Sequence, residues 1–382
     1  MELNDLERLF DERYFDRFLR PKIGSNKNAK FRGIELMSDE RGYKNTSRNQ
    51  IIKFNLLDRG VKSHFTVFFK TYLDLKRHEH RISHGATIDA YVEHVHYCLD
   101  TIGAGSFFVN YLDRIPELHA VLWEHLPLPT IGNKYREACA IERKAIDKFN
   151  RLRQSYLVFP QYIGDEIMSS LDKTKWLRTH LTLGALHFLA DFYSKSKDRV
   201  KDLPPRQYVV YENGQQYNRN VNLFDGTDEK WNAERMAKHL RAISQTYRLF
   251  HVQDLQKTDD LGKKAKLEEA IEFIDNKSEA KIQEIVQRQS EIEKEHKTLN
   301  PLIVHGDFHL DNILVDFDEN GFGFKFIDPK HVRIDYCFTD SILFSSYLGM
   351  LHTIYLPEID YIQQMVSFDQ GTLMLFKIKG LI

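Results

Sequence analysis

Between residues 302 and 329 the chain sets three oxygen-bearing side chains, Asp307, Asn312 and Asp328, at the ends of short apolar runs. Leu302-Ile303-Val304 leads into the polar loop His305-Gly306-Asp307-Phe308-His309-Leu310-Asp311-Asn312, and Ile313-Leu314-Val315 leads out of it. After the turn Asp318-Glu319-Asn320-Gly321, a third run, Gly323-Phe324-Lys325-Phe326-Ile327, ends on Asp328-Pro329. Short apolar runs bounded by polar and turn-forming residues predict three adjacent strands. The groups at their ends are those that phosphoryl transfer from a nucleotide needs. One carboxylate takes the proton of an acceptor hydroxyl, and hard oxygen atoms hold Mg²⁺ on the phosphates.

The rest of the chain must position that loop. Leu3, Leu6, Leu9 and Phe10 at helical spacing predict an N-terminal helix, with a Gly-, Asn-, Ser- and Arg-rich loop running on to about residue 50. Ile51–Leu57 and His64–Lys70 read as strands joined through Asp58-Arg59-Gly60-Val61, an antiparallel hairpin. A helix follows over 87–101 and a strand over 118–123. Pro127 and Pro129 mark a break. Beyond it Trp176–Tyr193 is apolar around much of its circumference, as in a buried helix, and Asn213-Gly214 predicts a hairpin over 208–217. Helices are predicted at about 229–250 and 264–297, the second breaking at Asp275-Asn276. Strands first and helices later give an α+β protein with a small β-rich N-lobe (1–126) and a larger, mainly helical C-lobe (127–382) carrying a helical insertion at about 205–300.

The step of five from Asp307 to Asn312 equals the Asp-to-Asn spacing of the protein-kinase catalytic loop, H-R-D-x-x-x-x-N. The whole stretch His305–Leu314 resembles the H-G-D-x-H-x-x-N-I-L signature of the aminoglycoside phosphotransferase and choline kinase superfamily, and Ile327-Asp328-Pro329 resembles its second metal-binding aspartate. The resemblance implies a two-lobe protein-kinase-like fold, Asp307 as catalytic base, and Asn312 and Asp328 as Mg²⁺ ligands. It gives His305, His309 and Asp340 supporting roles around the loop. Lys70, at the end of Val67-Phe68-Phe69, stands where such a fold keeps its phosphate-binding lysine, with Glu93 as its expected partner and Glu79 as second choice. Glu124-His125-Leu126 resembles the hinge that binds the nucleotide base. Thr182–His187 resembles a helix ending in Leu-His behind the catalytic loop. No G-x-G-x-x-G is present, and Gly42 and Ser47, with Asn45, are the candidates for cradling phosphate.

The implied reaction moves the γ-phosphoryl of ATP, or of GTP, to a hydroxyl of a small molecule such as an amino-sugar, sugar or amino-alcohol. Asp311 and Asp335 are candidate acceptor contacts, which would suit a cationic substrate. The rivals are a protein kinase on the same scaffold and a catalytically silent nucleotide-binding protein. No A-P-E-like segment follows Asp328, and the chain from there to Asp340 is short for an activation loop. Composition narrows the partners. Lys plus Arg total 54 against 55 acids, a net charge of −1, which lacks the basic excess of a nucleic-acid or anionic-membrane binder. Three cysteines, Cys98, Cys139 and Cys337, make no disulfide framework, the N-terminus is too polar for a signal peptide, and no long apolar run appears. The expected setting is the cytoplasm. The histidines at 78, 80, 84, 94 and 96 are not read as a metal site, since His94 and His96, two apart on a predicted helix, point to different sides, and the aromatics of 338–355 read as core and not as a substrate platform.

Overall fold

The computed structural model describes residues 3–22, 29–37, 49–72, 87–154, 161–200, 203, 205–223, 233–296, 302–318, 321–335, 338–355 and 374–379. Two compact units share them: residues 1–228 with 301–382, and residues 229–300.

The first unit opens with helix α1 (Leu3–Leu9) and the short turns of α2 (Glu12–Tyr14) and Phe15–Leu19. Strands β1 (Lys30–Met37), β2 (Asn49–Asp58) and β3 (Val61–Thr71) follow, then α3 (Ile88–Thr101), β4 (Tyr111–Ile115) and β5 (Ala120–Glu124). The five strands form one antiparallel sheet in the order β1-β2-β3-β5-β4. Asp58 pairs with Val61 across the two-residue turn Arg59-Gly60, both with positive φ (48° and 84°), the geometry that matches the twist of the flanking strands. Leu6, Phe10 and Phe15 are buried against Phe54 and Phe69 of the sheet, with Phe10 5.6 Å from Phe54 and 6.0 Å from Phe69, ring to ring. Burying each such side chain is worth about 1.5–3 kcal/mol, which is why so short a helix holds its place.

Helices α4 (Ile131–Gln154) and α5 (Gln161–Ser196) begin the C-lobe, followed by the hairpin β6 (Arg206–Glu212) and β7 (Gln215–Val221). In the second unit α6 (Ala233–Lys257) and α7 (Leu261–His296) pair through Arg241–Glu279 and Arg248–Asp275. The first unit resumes with β8 (Leu302–Val304), β9 (Ile313–Asp318), β10 (Gly321–Phe326), β11 (Arg333–Asp335) and α8 (Phe338–Tyr355). β9 pairs with β10 and β8 with β11, both antiparallel. One core joins α3, α5, β8, β9 and α8 through Val95, Leu189, Ile303, Ile313 and Phe344, all fully buried. This is the α+β, two-lobe kinase-like organisation: an antiparallel sheet first, a mainly helical region after it.

Several elements depart from the sequence expectation. β1 occupies part of the stretch read as loop, its alternation interrupted at Gly33 (φ 120°), where the register with β2 slips. α7 runs unbroken through Asp275-Asn276: Glu279, the expected capping-box partner of Asn276, is instead held by Arg241 of α6. Within the predicted insertion, Arg206–Glu212 and Gln215–Val221 form the β6–β7 hairpin, and helix is described over Ala233–Lys257 and Leu261–His296. In α5, Leu181, Leu186 and Leu189 are buried, but Trp176 and Leu183 are about half exposed, so one face and not the whole circumference is covered. Leu186-His187 lies in mid-helix, with His187 exposed.

His94, His96 and His305 are buried neutral. His94 contacts Tyr208 Oη (3.3 Å), and His96 Nε2 accepts from Trp123 Nε1 (3.1 Å). Burial pulls His94 down to about 4 and His96 to about 3, and lowers His305 too. The unfolded chain takes up protons at these imidazoles below about pH 6.5 while the folded chain does not. Stability should therefore fall as pH drops from there, by up to about 1.4 kcal/mol per pH unit for each histidine. Urea unfolding at pH 7 and pH 5 checks this. His96→Gln should remove one histidine's share of the slope, and equal stability at both pH values would contradict the reading.

Candidate active site

The loop between β8 and β9 is held from below. Asp340, buried at the start of α8, accepts the His305 and Gly306 amides (2.7 Å each) and the Tyr193 hydroxyl (2.9 Å). Gly306 has φ 77°, and a Cβ there would lie 2.1 Å from the His331 carbonyl oxygen, so only glycine fits. His305 Nε2 meets the Ile327 carbonyl (3.0 Å), a contact that needs a proton on Nε2 and leaves Nδ1 to accept the Asp307 amide (3.4 Å).

Around Asp307 the same logic fixes a second imidazole. His309 Nδ1 accepts the Asp311 amide (3.2 Å), so Nε2 carries the proton and faces Asp307 Oδ2 at 3.7 Å. Asn312 Nδ2 donates to the Asp307 carbonyl (2.9 Å) and to Oδ2 (3.1 Å). With its amide nitrogen committed, Asn312 has Oδ1 left as a cation ligand. Burial would raise the Asp307 carboxyl, but His309 and the field of His331 outweigh it, and the group sits well below the ordinary carboxylate range.

Asp328 closes the arrangement. It adopts a left-handed backbone (φ 55°, ψ 62°) at the end of β10, a conformation that aspartate tolerates better than most residues. Lys70 Nζ lies 2.8 Å from its Oδ1 and Lys330 Nζ 2.8 Å from its Oδ2. Burial again works to raise this carboxyl, and the two ammonium charges overcome it, so Asp328 stays ionised.

Lys70, Asp328 and Asn312 line a cleft of about 570 Å³ together with Glu124, His125 and Leu126. Its apolar walls include Phe68, Trp123 and Leu314, side chains on which a flat ring can rest. At its rim the Glu124 amide donates to the Asn110 carbonyl (2.9 Å) and the His125 amide to the Thr66 carbonyl (3.0 Å). The Leu126 amide has no hydrogen-bond partner among the described residues.

Residues 186–341, from mid-α5 to the start of α8, match the family model APH, the phosphotransferase enzyme family. This match agrees with the resemblance of the 305–314 loop to the aminoglycoside phosphotransferase and choline kinase superfamily. Asp307, Asn312 and Asp328 all fall inside it, and Lys70 and the 124–126 strand end precede it. No curated protein matches the chain.

Three expectations need revision against this family pattern. Glu93 does not meet Lys70: its Oε2 accepts from Arg114 (2.9 Å), and Lys70 pairs with Asp328. Asp311 is not an open carboxylate. Arg136 holds both its oxygens (2.7 and 3.1 Å) and the Tyr347 hydroxyl donates to it. A Cβ on Gly132 would come within 2.0 Å of Asp311 Oδ1, which shows how closely α4 and the loop are drawn together. Asp335 is bound by Arg333 (3.0 Å). Both carboxylates are thus neutralised within the protein, and the reason for expecting a cationic acceptor weakens. Gly42, Asn45, Ser47 and Glu79 lie outside the described residues.

Tyr347 and Lys330 were not singled out by the sequence. Tyr347, read as core, stacks on His309 (4.9 Å). Lys330 carried one usable signal, its place two residues after Asp328.

Proposed function

We propose that the chain transfers the γ-phosphoryl of ATP, with GTP the alternative donor, to a hydroxyl of a small molecule such as an amino-sugar, sugar or amino-alcohol. The observation that carries this reading is the set of Lys70 on β3, Asp307 and Asn312 in the β8–β9 loop and Asp328 just after β10, three of which line a cleft of about 570 Å³. Asp307 orients the acceptor hydroxyl and takes its proton. Lys70 serves the α- and β-phosphates, and the 124–126 segment holds the base, with the Leu126 amide as donor.

Among the described residues no three His, Cys, Asp or Glu cluster to hold a metal. A resident multi-ligand cage is not what Mg²⁺ requires here, because it binds through one or two protein oxygens plus the phosphates. Asn312 Oδ1 and the ionised Asp328 fit that pattern and would hold the ion, which when bound neutralises phosphate charge. Catalysis by the protein's own residues is then placement of the hydroxyl and charge stabilisation.

No helix among the described residues is long and apolar enough to cross a membrane. Cys98 and Cys139 are buried and unbridged, in keeping with a cytoplasmic, reducing setting. The test is a coupled assay of ATP and GTP consumption over aminoglycosides, choline, ethanolamine, methylthioribose, homoserine and common sugars, with Mg²⁺ present. Turnover on one acceptor class is expected. Phosphorylation of proteins but of no metabolite would favour the protein-kinase reading, and absence of a thermal shift with Mg²⁺–ATP would favour the silent one.

A further inference from the structure

Asp328 has two carboxylate oxygens and two lysines. Lys70 reaches Oδ1 from β3, on the side of the nucleotide cleft. Lys330 reaches Oδ2 from the turn Pro329–His331, and it lies within electrostatic range of Asp307 as well. One ammonium suffices to neutralise one carboxylate. If Lys330 served only to balance Asp328, Lys70 would already have made it redundant. Its aim is set by local covalent geometry, since Asp328 is left-handed and Pro329 fixes the next φ, so the side chain is delivered from a stiff turn. Among the described residues its one hydrogen bond is to Asp328, leaving two of its three N–H groups for another acceptor.

We infer that Lys330 is a second phosphate-binding cation, a catalytic residue that contacts the transferring phosphoryl group between Asp328 and Asp307. The inference rests on the phosphotransferase reading above. In that reaction the acceptor oxygen forms a bond to the γ-phosphorus and its proton passes to the Asp307 carboxylate. The bond from the γ-phosphorus to the β,γ-bridging oxygen breaks, its electron pair leaving on the nucleoside diphosphate. Negative charge is spread over the three equatorial oxygens as the group passes. An ammonium held 2.8 Å from Asp328 and within the electrostatic field of Asp307 is placed to meet that charge, whereas Lys70 approaches Asp328 from β3. The two lysines therefore divide the phosphate chain between them.

A binding experiment separates this role from simple charge balance. Calorimetric titration with Mg²⁺ present compares the non-hydrolysable triphosphates AMP-PNP and GMP-PNP with ADP and GDP. The wild-type chain should prefer the triphosphate of its donor. Lys330→Met should reduce that preference about tenfold while ADP or GDP affinity stays put, because the lost contact is to the γ-phosphoryl. Lys330→Arg should restore part of it, and Lys330→Gln carries the comparison if the methionine variant folds poorly. An unchanged preference in a folded Lys330→Met or Lys330→Gln variant, or an equal loss for di- and triphosphate, overturns the inference and leaves the phosphotransferase reading intact. A wild-type chain that binds neither nucleotide overturns both.

Discussion

Asp307→Asn is expected to lower kcat about 10²–10⁴-fold while nucleotide affinity stays within about twofold of wild type. The substitution keeps an oxygen at Cγ that can still accept from Asn312 Nδ2, now 3.1 Å from Oδ2, so the loop should hold its shape. Under the proposed reaction, what disappears is the proton acceptor and the negative charge that would face the acceptor hydroxyl. Lys70 and Asp328 hold one another independently of Asp307, which is why the nucleotide should bind as before. The depressed pKa of Asp307 adds a constraint on mechanism. Held ionised by His309 and His331, it is a weak base, suited to orienting the hydroxyl and receiving its proton late, when bond formation to phosphorus has already acidified it. The acid limb of the pH–rate profile should accordingly not come from Asp307 above about pH 4, since a lowered carboxyl remains charged down through its ordinary range. Turnover that survives Asp307→Asn would remove it from the chemistry.

The parts of this site that were legible in the sequence are the local ones. Asp307, Asn312 and Asp328 lie within 22 residues of one another, and short strands with a polar loop between them leave few ways to arrange their ends. Lys70 was legible because the β2–β3 hairpin is marked by its own turn. Long-range pairing is another matter. Arg114 lies 25 residues from Asp89 and 95 from Val209, and it sits on β4, a strand that no periodic signal had drawn. Without β4 nothing revealed that a cation waits beside α3 to take Glu93. Asp311 shows the same limit: Arg136 and Tyr347 come from α4 and α8, 175 and 36 residues away. A carboxylate's sequence neighbours do not say whether its charge is available to a ligand.

Arg114→Met should be the most destabilising single change outside the catalytic loop. The guanidinium is almost fully buried and ties β4 to two other elements: Asp89 (2.6 Å) and Glu93 (2.9 Å) on α3, and the Val209 carbonyl on β6. Asp89 is itself fully buried. Burial acts to raise its pKa, and the hydrogen bond from His119 followed by the charge and hydrogen bond of Arg114 keep it lowered. Removing the arginine leaves that buried carboxylate without its guanidinium partner, at a cost of about 3–5 kcal/mol. Combining Arg114→Met with Asp89→Asn should return part of the loss, because an amide leaves no buried charge, and the coupling should be about 1–3 kcal/mol by a double-mutant cycle in urea. The same network makes a functional distinction. Since Arg114 holds Glu93 and Asp328 holds Lys70, Glu93→Gln should leave nucleotide affinity unchanged, whereas in a fold that orders its lysine through the helix glutamate it would not. A loss of nucleotide binding in Glu93→Gln, with stability intact, would mean that Glu93 exchanges Arg114 for Lys70 when the nucleotide binds.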